Sequence, residues 1–333
     1  MKRTVLRDLL GVVWVGWAGL AGAQSLLPGE RAASIAPIPG VIAANATWEL
    51  VWADFETADG IVATPDGGVL FAQEQTDTLR KLDAQNRETI FLSDTHGAGA
   101  VSVDAQGRMF VVQRTCTDPG KPFSASCAEL TRISQVAPEQ RLLANAFADG
   151  RPLGRLNDLI ADGKGGAYFT VDGAYHVSAA GVVSAVENRD LTPNGIQLSA
   201  DGRRLFVTNA KEVLVFDVQP DGSTRNRRVF GNLEGDQGAD GMAFDAEGRL
   251  YVTARGGVHV LSKDGAHLGL IPTPRAPITL AFSGADKRTL YVPMMGAIGP
   301  DGKAWATPQG VRNTAMTIYR IPMLSQGLLS RPK

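Results

Sequence analysis

Residues Asp240 to Pro272 read DGMAFDAEGRLYVTARGGVHVLSKDGAHLGLIP. Within this stretch, GMAFD, LYVTA, GVHVLS and HLGLIP are four short apolar runs, parted by Gly- and Asp-containing turns. Apolar alternation broken by such turns is the signature of antiparallel strands joined by hairpins. No stretch here carries the 3.6-residue periodicity of an amphipathic helix.

The opening phrase of this unit recurs. Its copies are DGIVATPDGG from Asp59, GAVSVDAQGR from Gly99, NDLIADGKGG from Asn157, NGIQLSADGR from Asn194, DGMAFDAEGR from Asp240 and ITLAFSGADK from Ile278. Their starts are 40, 58, 37, 46 and 38 residues apart. Repeats of this length mark radially arranged or stacked β units. The fourth copy shows the same four strands: GIQLS, RLFVT, EVLVFDV and RRVFGN. Four antiparallel strands per unit, repeated around an axis, predict an all-β fold: a six-bladed β-propeller.

The last copy supplies only ITLAFS, TLYVP and MTIYRIP. The missing strand is expected from ATWELVWADF, residues 46–55, ahead of the first copy. Closing the last blade with an N-terminal strand removes an exposed sheet edge. A linear solenoid would leave both ends open and give that strand no role. The expected boundaries are a propeller over 45–325, an extended Pro-, Ala- and Gly-rich lead-in over 24–44, and a tail over 326–333.

The N-terminus reads as a cleaved signal peptide over 1–23. Lys2, Arg3 and Arg7 precede an apolar stretch from Leu9 to Gly22, and Ala21-Gly22-Ala23 fits a cleavage site. The stretch is short for a membrane span. The protein is therefore expected to be exported, periplasmic or secreted, with no membrane attachment after cleavage. Export permits disulfides. Cys116 and Cys127 are the two cysteines; alone they make a poor zinc site. A local disulfide between them is expected, contributing about 2–3 kcal/mol. They lie in an insertion, RTCTDPGKPFSASCAE, after the second copy; a second insertion, MMGAIGPDGKAWATPQGVRNTA, interrupts the last. Insertions of this kind form surface loops, as walls of a site or as passive decoration.

Lys plus Arg is 33 and Asp plus Glu is 34. This balance lacks the concentrated positive field of a nucleic-acid binder. A closed ring has no intrinsic need of a partner, so a monomer is expected.

In a propeller, the first residue of each phrase starts a strand lining the central channel. Around the ring the series is Asp59, Gly99, Asn157, Asn194, Asp240 and Ile278. Asp59, Asn157, Asn194 and Asp240 form an all-oxygen set suited to a hard divalent cation: Ca²⁺ first, with Mg²⁺, Mn²⁺ or Zn²⁺ as alternatives. Two Asp near one axis would repel unless a positive charge compensates them. Singly, such residues cap turns more often than they bind ions, so the reading rests on their equivalence around the ring. Asp66, Asp201 and Glu247 read as turn chemistry. His96, in THGAGAV, stands just before the second phrase and is a candidate substrate contact at the channel mouth. His176, His259 and His267 fall on third or fourth strands, away from the axis.

Four segments carry a family resemblance: RLND around Asn157, TPNGIQLSADGRRLFVTN around Asn194, ADGMAFDAEGRLYVTA around Asp240, and AFSGADKRTLYV in the last copy. In this order the chain resembles the senescence marker protein / gluconolactonase / luciferin-regenerating enzyme (SGL) group of six-bladed propellers over about residues 45–323. The resemblance implies one divalent cation held by Asn194, Asp240 and a first-blade carboxylate. It implies further that Asn157 lies by cation and substrate, and that Arg155 contacts substrate. The first blade departs from the pattern: Asp59-Gly60-Ile61 stands where the group has Glu-Gly-Pro, and Leu156 replaces its Pro.

The implied activity is metal-dependent opening of a sugar lactone or related ester. A cation would polarise the carbonyl and Asp240 would act as general base. No G-x-S-x-G nucleophile elbow is present. Two rival functions stand beside it: a non-catalytic ligand-binding propeller with a structural cation, and a quinone-dependent sugar oxidoreductase, for which no catalytic His is assignable.

Overall fold

The structure, a computed structural model, describes residues 26–27, 29–54, 56–114, 130–186, 190–296, 306–307, 310–311 and 317–330. The signal-peptide residues and both cysteines, with their expected disulfide, lie outside the described residues.

Six four-stranded antiparallel sheets follow one another along the chain. Their first strands are Ile61–Ala63, Ala98–Val103, Leu159–Ala161, Pro193–Leu198, Met242–Phe244 and Ala281–Ser283. These open blades 1 to 6. The first strands of blades 1 to 5 touch in succession, that of blade 1 also meets blade 6, and the Gly241 N–H before blade 5 bonds the Ile278 carbonyl before blade 6, closing a ring. The propeller expectation is met, with four strands in each blade.

The ring is sealed as expected. Glu49–Ala53 pairs antiparallel with Thr317–Pro322 to complete blade 6. Arg320 grips Glu49 with two bonds, from Nε at 2.8 Å and from NH2 at 3.0 Å. Trp52 then crosses to blade 1, where its ring lies 4.8 Å from that of Phe71 and its Nε1 donates to Glu88 at 3.0 Å.

The core is distributed between the blades. Six clusters of buried apolar side chains fill the six seams, such as Phe110, Leu159 and Phe169 between blades 2 and 3. Each inner strand is buried on both faces, so its residues read as near-continuous apolar runs. The lead-in is part of this core. Ile35, Ile38, Val41 and Ile42 pack with Tyr251, Val260 and Leu290 in the seam of blades 5 and 6. Its few apolar residues have no period because they fill a gap between sheets, with no face of their own to present.

The recurrent aspartates of the turns do local work. Asp104, Asp83 and Asp245 each accept from two backbone N–H groups ahead of them and from the Arg four residues on. Asp66 and Asp201 bond hydroxyls two residues before them. These are turn residues, as expected from the sequence.

Candidate functional site

The glycine after several opening residues has a packing cause. A Cβ on Gly60 would lie 2.5 Å from Ala100 Cα, and one on Gly241 2.5 Å from Thr279 Oγ1. A Cβ on Gly195 would collide with the Asp240 carbonyl oxygen. None of these three glycines has a left-handed φ. They are glycine because neighbouring blades come into backbone contact at the axis.

That approach places the opening residues in one ring. Asp59, Asn157 and Asp240 occupy the same station: their N–H groups donate to Ala72, Thr170 and Thr253 at 2.9, 2.8 and 2.8 Å. Gly60 N–H reaches across to the Gly99 carbonyl at 3.0 Å, and Gly241 N–H to Ile278 at 2.8 Å. Thr170 Oγ1 donates to the Asn194 carbonyl, tying blade 3 to blade 4.

Asp59, Asn157 and Asp240 line one cavity of about 290 Å³, together with Arg155, Thr57, Leu156, Ile278 and Met295. Arg155, Asn157 and Asp240, three of the residues singled out from sequence, therefore converge with Asp59. Asn194 does not line the cavity, although its neighbour Gly195 abuts Asp240. His96 stands elsewhere. It is exposed, in a left-handed turn (φ 51°), and lines a separate cavity of about 150 Å³ with Asp94, Gln113 and Arg132. The turn before Gly97 carries it away from the axis, so the structure does not bring it to the site. The other three histidines lie on third and fourth strands, as expected.

Two further lining residues went unread in the sequence: Glu74 and Arg114. Each follows a second strand, three positions after the residue paired with its blade's first strand (Phe71 with Ile61, Val111 with Val101). That shared station, occupied by opposite charges straight after VLFAQ and MFVVQ, was the available signal. Arg114 opens the first insertion and Met295 is the second residue of the other, so both insertions leave from the cavity wall.

Arg114 is buried, its side chain 4% exposed. NH1 donates to Asp59 Oδ2 at 2.7 Å and to Glu74 Oε2 at 3.1 Å. Nε donates to the Leu156 carbonyl at 2.7 Å and NH2 to the Asn157 carbonyl at 2.6 Å. It passes over Gly99, the one opening position with no side chain. One guanidinium thus joins blades 1, 2 and 3 and fixes the Arg155-Leu156-Asn157 turn. The compensating charge that the paired aspartates called for is, for Asp59, a residue of the chain.

Burial works against the Arg114 charge, but Asp59 and Glu74 hold its pKa above the ordinary value. Burial pushes the Glu74 carboxyl upward; Arg114 pulls it down and Asp59 pushes it up again. For Arg155, part of which still reaches solvent, desolvation of the remainder and then the like charge of Arg114 lower the pKa, while Glu74 and Asp59 oppose.

The donor set bears on the implied cation. Among the described residues no three of His, Cys, Asp or Glu cluster as a metal group. A cation here would depend on amide oxygens as well as carboxylates. Glu74 Oε1 and Asn194 Oδ1 are both buried without a hydrogen-bond partner among the described residues. Unpaired buried acceptors are rare and costly, and two hard oxygens in that state fit a hard cation.

Residues 40–295 match the model of the SMP-30/Gluconolactonase/LRE-like region. Gluconolactonase of Zymomonas mobilis is 23% identical over 288 residues, 73% of this chain and 78% of that protein. The solved structure of a Xanthomonas campestris gluconolactonase superposes with a TM-score of 0.67 at 19% identity, covering 91% of this chain and 99% of that one. A calcium-binding regucalcin of Agrobacterium tumefaciens gives 0.61 at 19% identity, covering 86% and 96%. With its propeller and its axial cavity, this chain belongs to the SMP-30/gluconolactonase/LRE-like family.

Proposed function

We propose that this chain is a lactonase that opens a small lactone, such as a sugar lactone, in the axial cavity. The observation that carries the reading is the meeting of Asp240, Arg155 and Asn157, from blades 5 and 3, around one cavity of about 290 Å³. A volume of this order suits a small polar ring. The gluconolactonases among its relatives support the same substrate class.

Asp240 serves as general base. It takes a proton from a water that attacks the lactone carbonyl carbon. The carbonyl carbon–ring oxygen bond then breaks, and the ring oxygen leaves as a hydroxyl, taking up a proton. Arg155 and Asn157 orient the ring oxygens and hydroxyls. Arg114 holds the Asn157 backbone through its carbonyl, so that the amide starts in place. The product is a hydroxy acid.

Asn194 and Asp240, with Asn157 and a carboxylate from blade 1, would hold a divalent cation. Such an ion, Ca²⁺ in the first instance, supplies Lewis-acid polarisation of the carbonyl when bound. The N-terminal segment supports export as the setting of this activity.

The test uses the mature chain. Acid release from aldonolactones is followed after metal stripping and after restoring Ca²⁺, Mg²⁺, Mn²⁺ or Zn²⁺. Asp240→Ala is expected to lower kcat by roughly 10²–10⁴-fold. Full activity in both Asp240→Ala and Asn194→Ala would remove the proposed site. Tight cation binding with no turnover of any lactone would make the chain a binding propeller.

A further inference from the structure

Glu74 takes no part in the reaction just described, yet it is among the least solvated groups of the cavity. It opens the single 3-10 turn that follows Val69–Gln73 in blade 1. Its side chain is 4% exposed. One oxygen, Oε2, accepts from Arg114 at 3.1 Å; the other, Oε1, is buried with no partner among the described residues. Asp59 differs. Its Oδ2 is bonded to Arg114 at 2.7 Å, and its side chain, 29% exposed, meets water.

The charges around the cavity say what Oε1 awaits. Among the described residues three carboxylates line it, Asp59, Glu74 and Asp240, against two guanidinia, Arg114 and Arg155. Arg114 is already engaged with Asp59, Glu74 and two carbonyls, and Arg155 is exposed. Asn194 Oδ1, one residue before the Gly195 that abuts the Asp240 backbone, is a second buried acceptor without a hydrogen-bond partner among the described residues. A substrate hydroxyl would satisfy one acceptor and bring an oxygen that needs a donor of its own. A positive ion satisfies acceptors only. Desolvation also separates the two blade-1 carboxylates: water solvates Asp59 already, whereas a ligand inside the cavity must satisfy Glu74.

We propose that Glu74 Oε1, rather than the partly exposed Asp59, is the oxygen that blade 1 contributes to a hard divalent cation at the axial site, with Arg114 as the strut that aims it. This rests on the cation reading given under the proposed function. Arg114 holds Oε2 and leaves Oε1 without a hydrogen bond among the described residues. The longer Glu side chain on the second strand stands in for the first-strand carboxylate, which here is one methylene shorter and bound to Arg114.

Calorimetric titration of the mature chain with Ca²⁺ and with Mn²⁺ tests the assignment, in wild type, Glu74→Gln and Asp59→Asn. The Gln variant keeps the shape and still accepts from Arg114. Its cation affinity is expected to fall about tenfold or more, while Asp59→Asn stays within about threefold. If Glu74→Gln does not fold, Glu74→Asp retains the charge, draws the oxygen back and is expected to lose affinity likewise. Unchanged affinity in the Glu74 variant overturns the proposal, as does a larger loss in Asp59→Asn or no binding of either ion by wild type. A higher KM for lactone at unaltered cation affinity overturns it in favour of a substrate contact. Hydrolysis that persists in the metal-stripped wild type sinks the reading underneath. Hydrolysis lost on stripping, with affinity unaffected in Glu74→Gln, sinks this assignment alone.

Discussion

Arg114 lies directly over Gly99: a Cβ on that glycine would come within 2.5 Å of Arg114 Nε, and closer still to its guanidinium carbon. The second opening position therefore holds a buried charge from a different strand. Gly99→Ala is expected to displace the guanidinium from Asp59 and Glu74 and strand a buried carboxylate. Breaking a buried ion pair costs about 3–5 kcal/mol. Urea denaturation measures this; a loss under ~1 kcal/mol would mean that Arg114 is not needed where it lies.

Gly241 illustrates the contact between blades. Its φ is not left-handed, so any cost of Gly241→Ala comes from the collision with Thr279. Overpacking of this kind costs about 1–3 kcal/mol. Asp240 is the adjacent residue, so lactone hydrolysis is expected to drop together with the melting temperature. A variant with wild-type stability and rate would show that the blades can part at the axis without consequence.

Trp52 is the anchor of the seam between blades 6 and 1. Trp52→Ala removes its contact with Phe71 and its bond to Glu88. The expected destabilisation is about 3–5 kcal/mol, read as a lower denaturant midpoint. An unshifted midpoint would contradict closure by the N-terminal strand.

Blade 5 carries a short polar chain: Asp236 to His259 Nε2 at 3.1 Å, His259 Nδ1 to His267 Nε2 at 2.9 Å, and His267 Nδ1 to Glu234 at 3.6 Å. Burial lowers the His259 pKa below 6.5, with His267 acting the same way and Asp236 opposing. Below pH 6.5 the unfolded chain therefore binds protons at this position that the folded chain refuses. The contribution to stability is complete above that pH and is lost as pH falls towards the folded-state value. The Asp236 carboxyl is held below its ordinary value, so its own contribution is lost only at lower pH. The melting temperature is expected to fall by about 2 °C or more between pH 7.5 and 5.5, and His259→Gln to flatten that slope. Equal slopes in both proteins would assign the pH dependence elsewhere.

Much of this architecture was written in the chain. The period-two runs and their Gly/Asp turns set the blade count, and the three-stranded last copy called for a strand from the N-terminus; Glu49–Ala53 provides it. The opening residues Asp59, Asn157 and Asp240 were legible because each repeats one station of one strand. Two features ran against the local pattern. The lead-in reads as an extended segment, yet Ile38 and Ile42 are core, because a seam between two sheets is filled by volume and needs no periodicity. His96 stands next to the second phrase in sequence, but a left-handed turn sends it to another cavity.

The sequence by itself determined the fold and the ring of polar openings, since both follow from repetition at short range. The tertiary structure alone decided the electrostatics of the ring. Glu74 and Arg114 are 40 residues apart and sit in different blades. Only closure of the propeller brings them together, with Asp59, over the space that Gly99 leaves. Pairing of charges in a desolvated cavity depends on distances of a few ångströms, and spacing along a strand does not encode those.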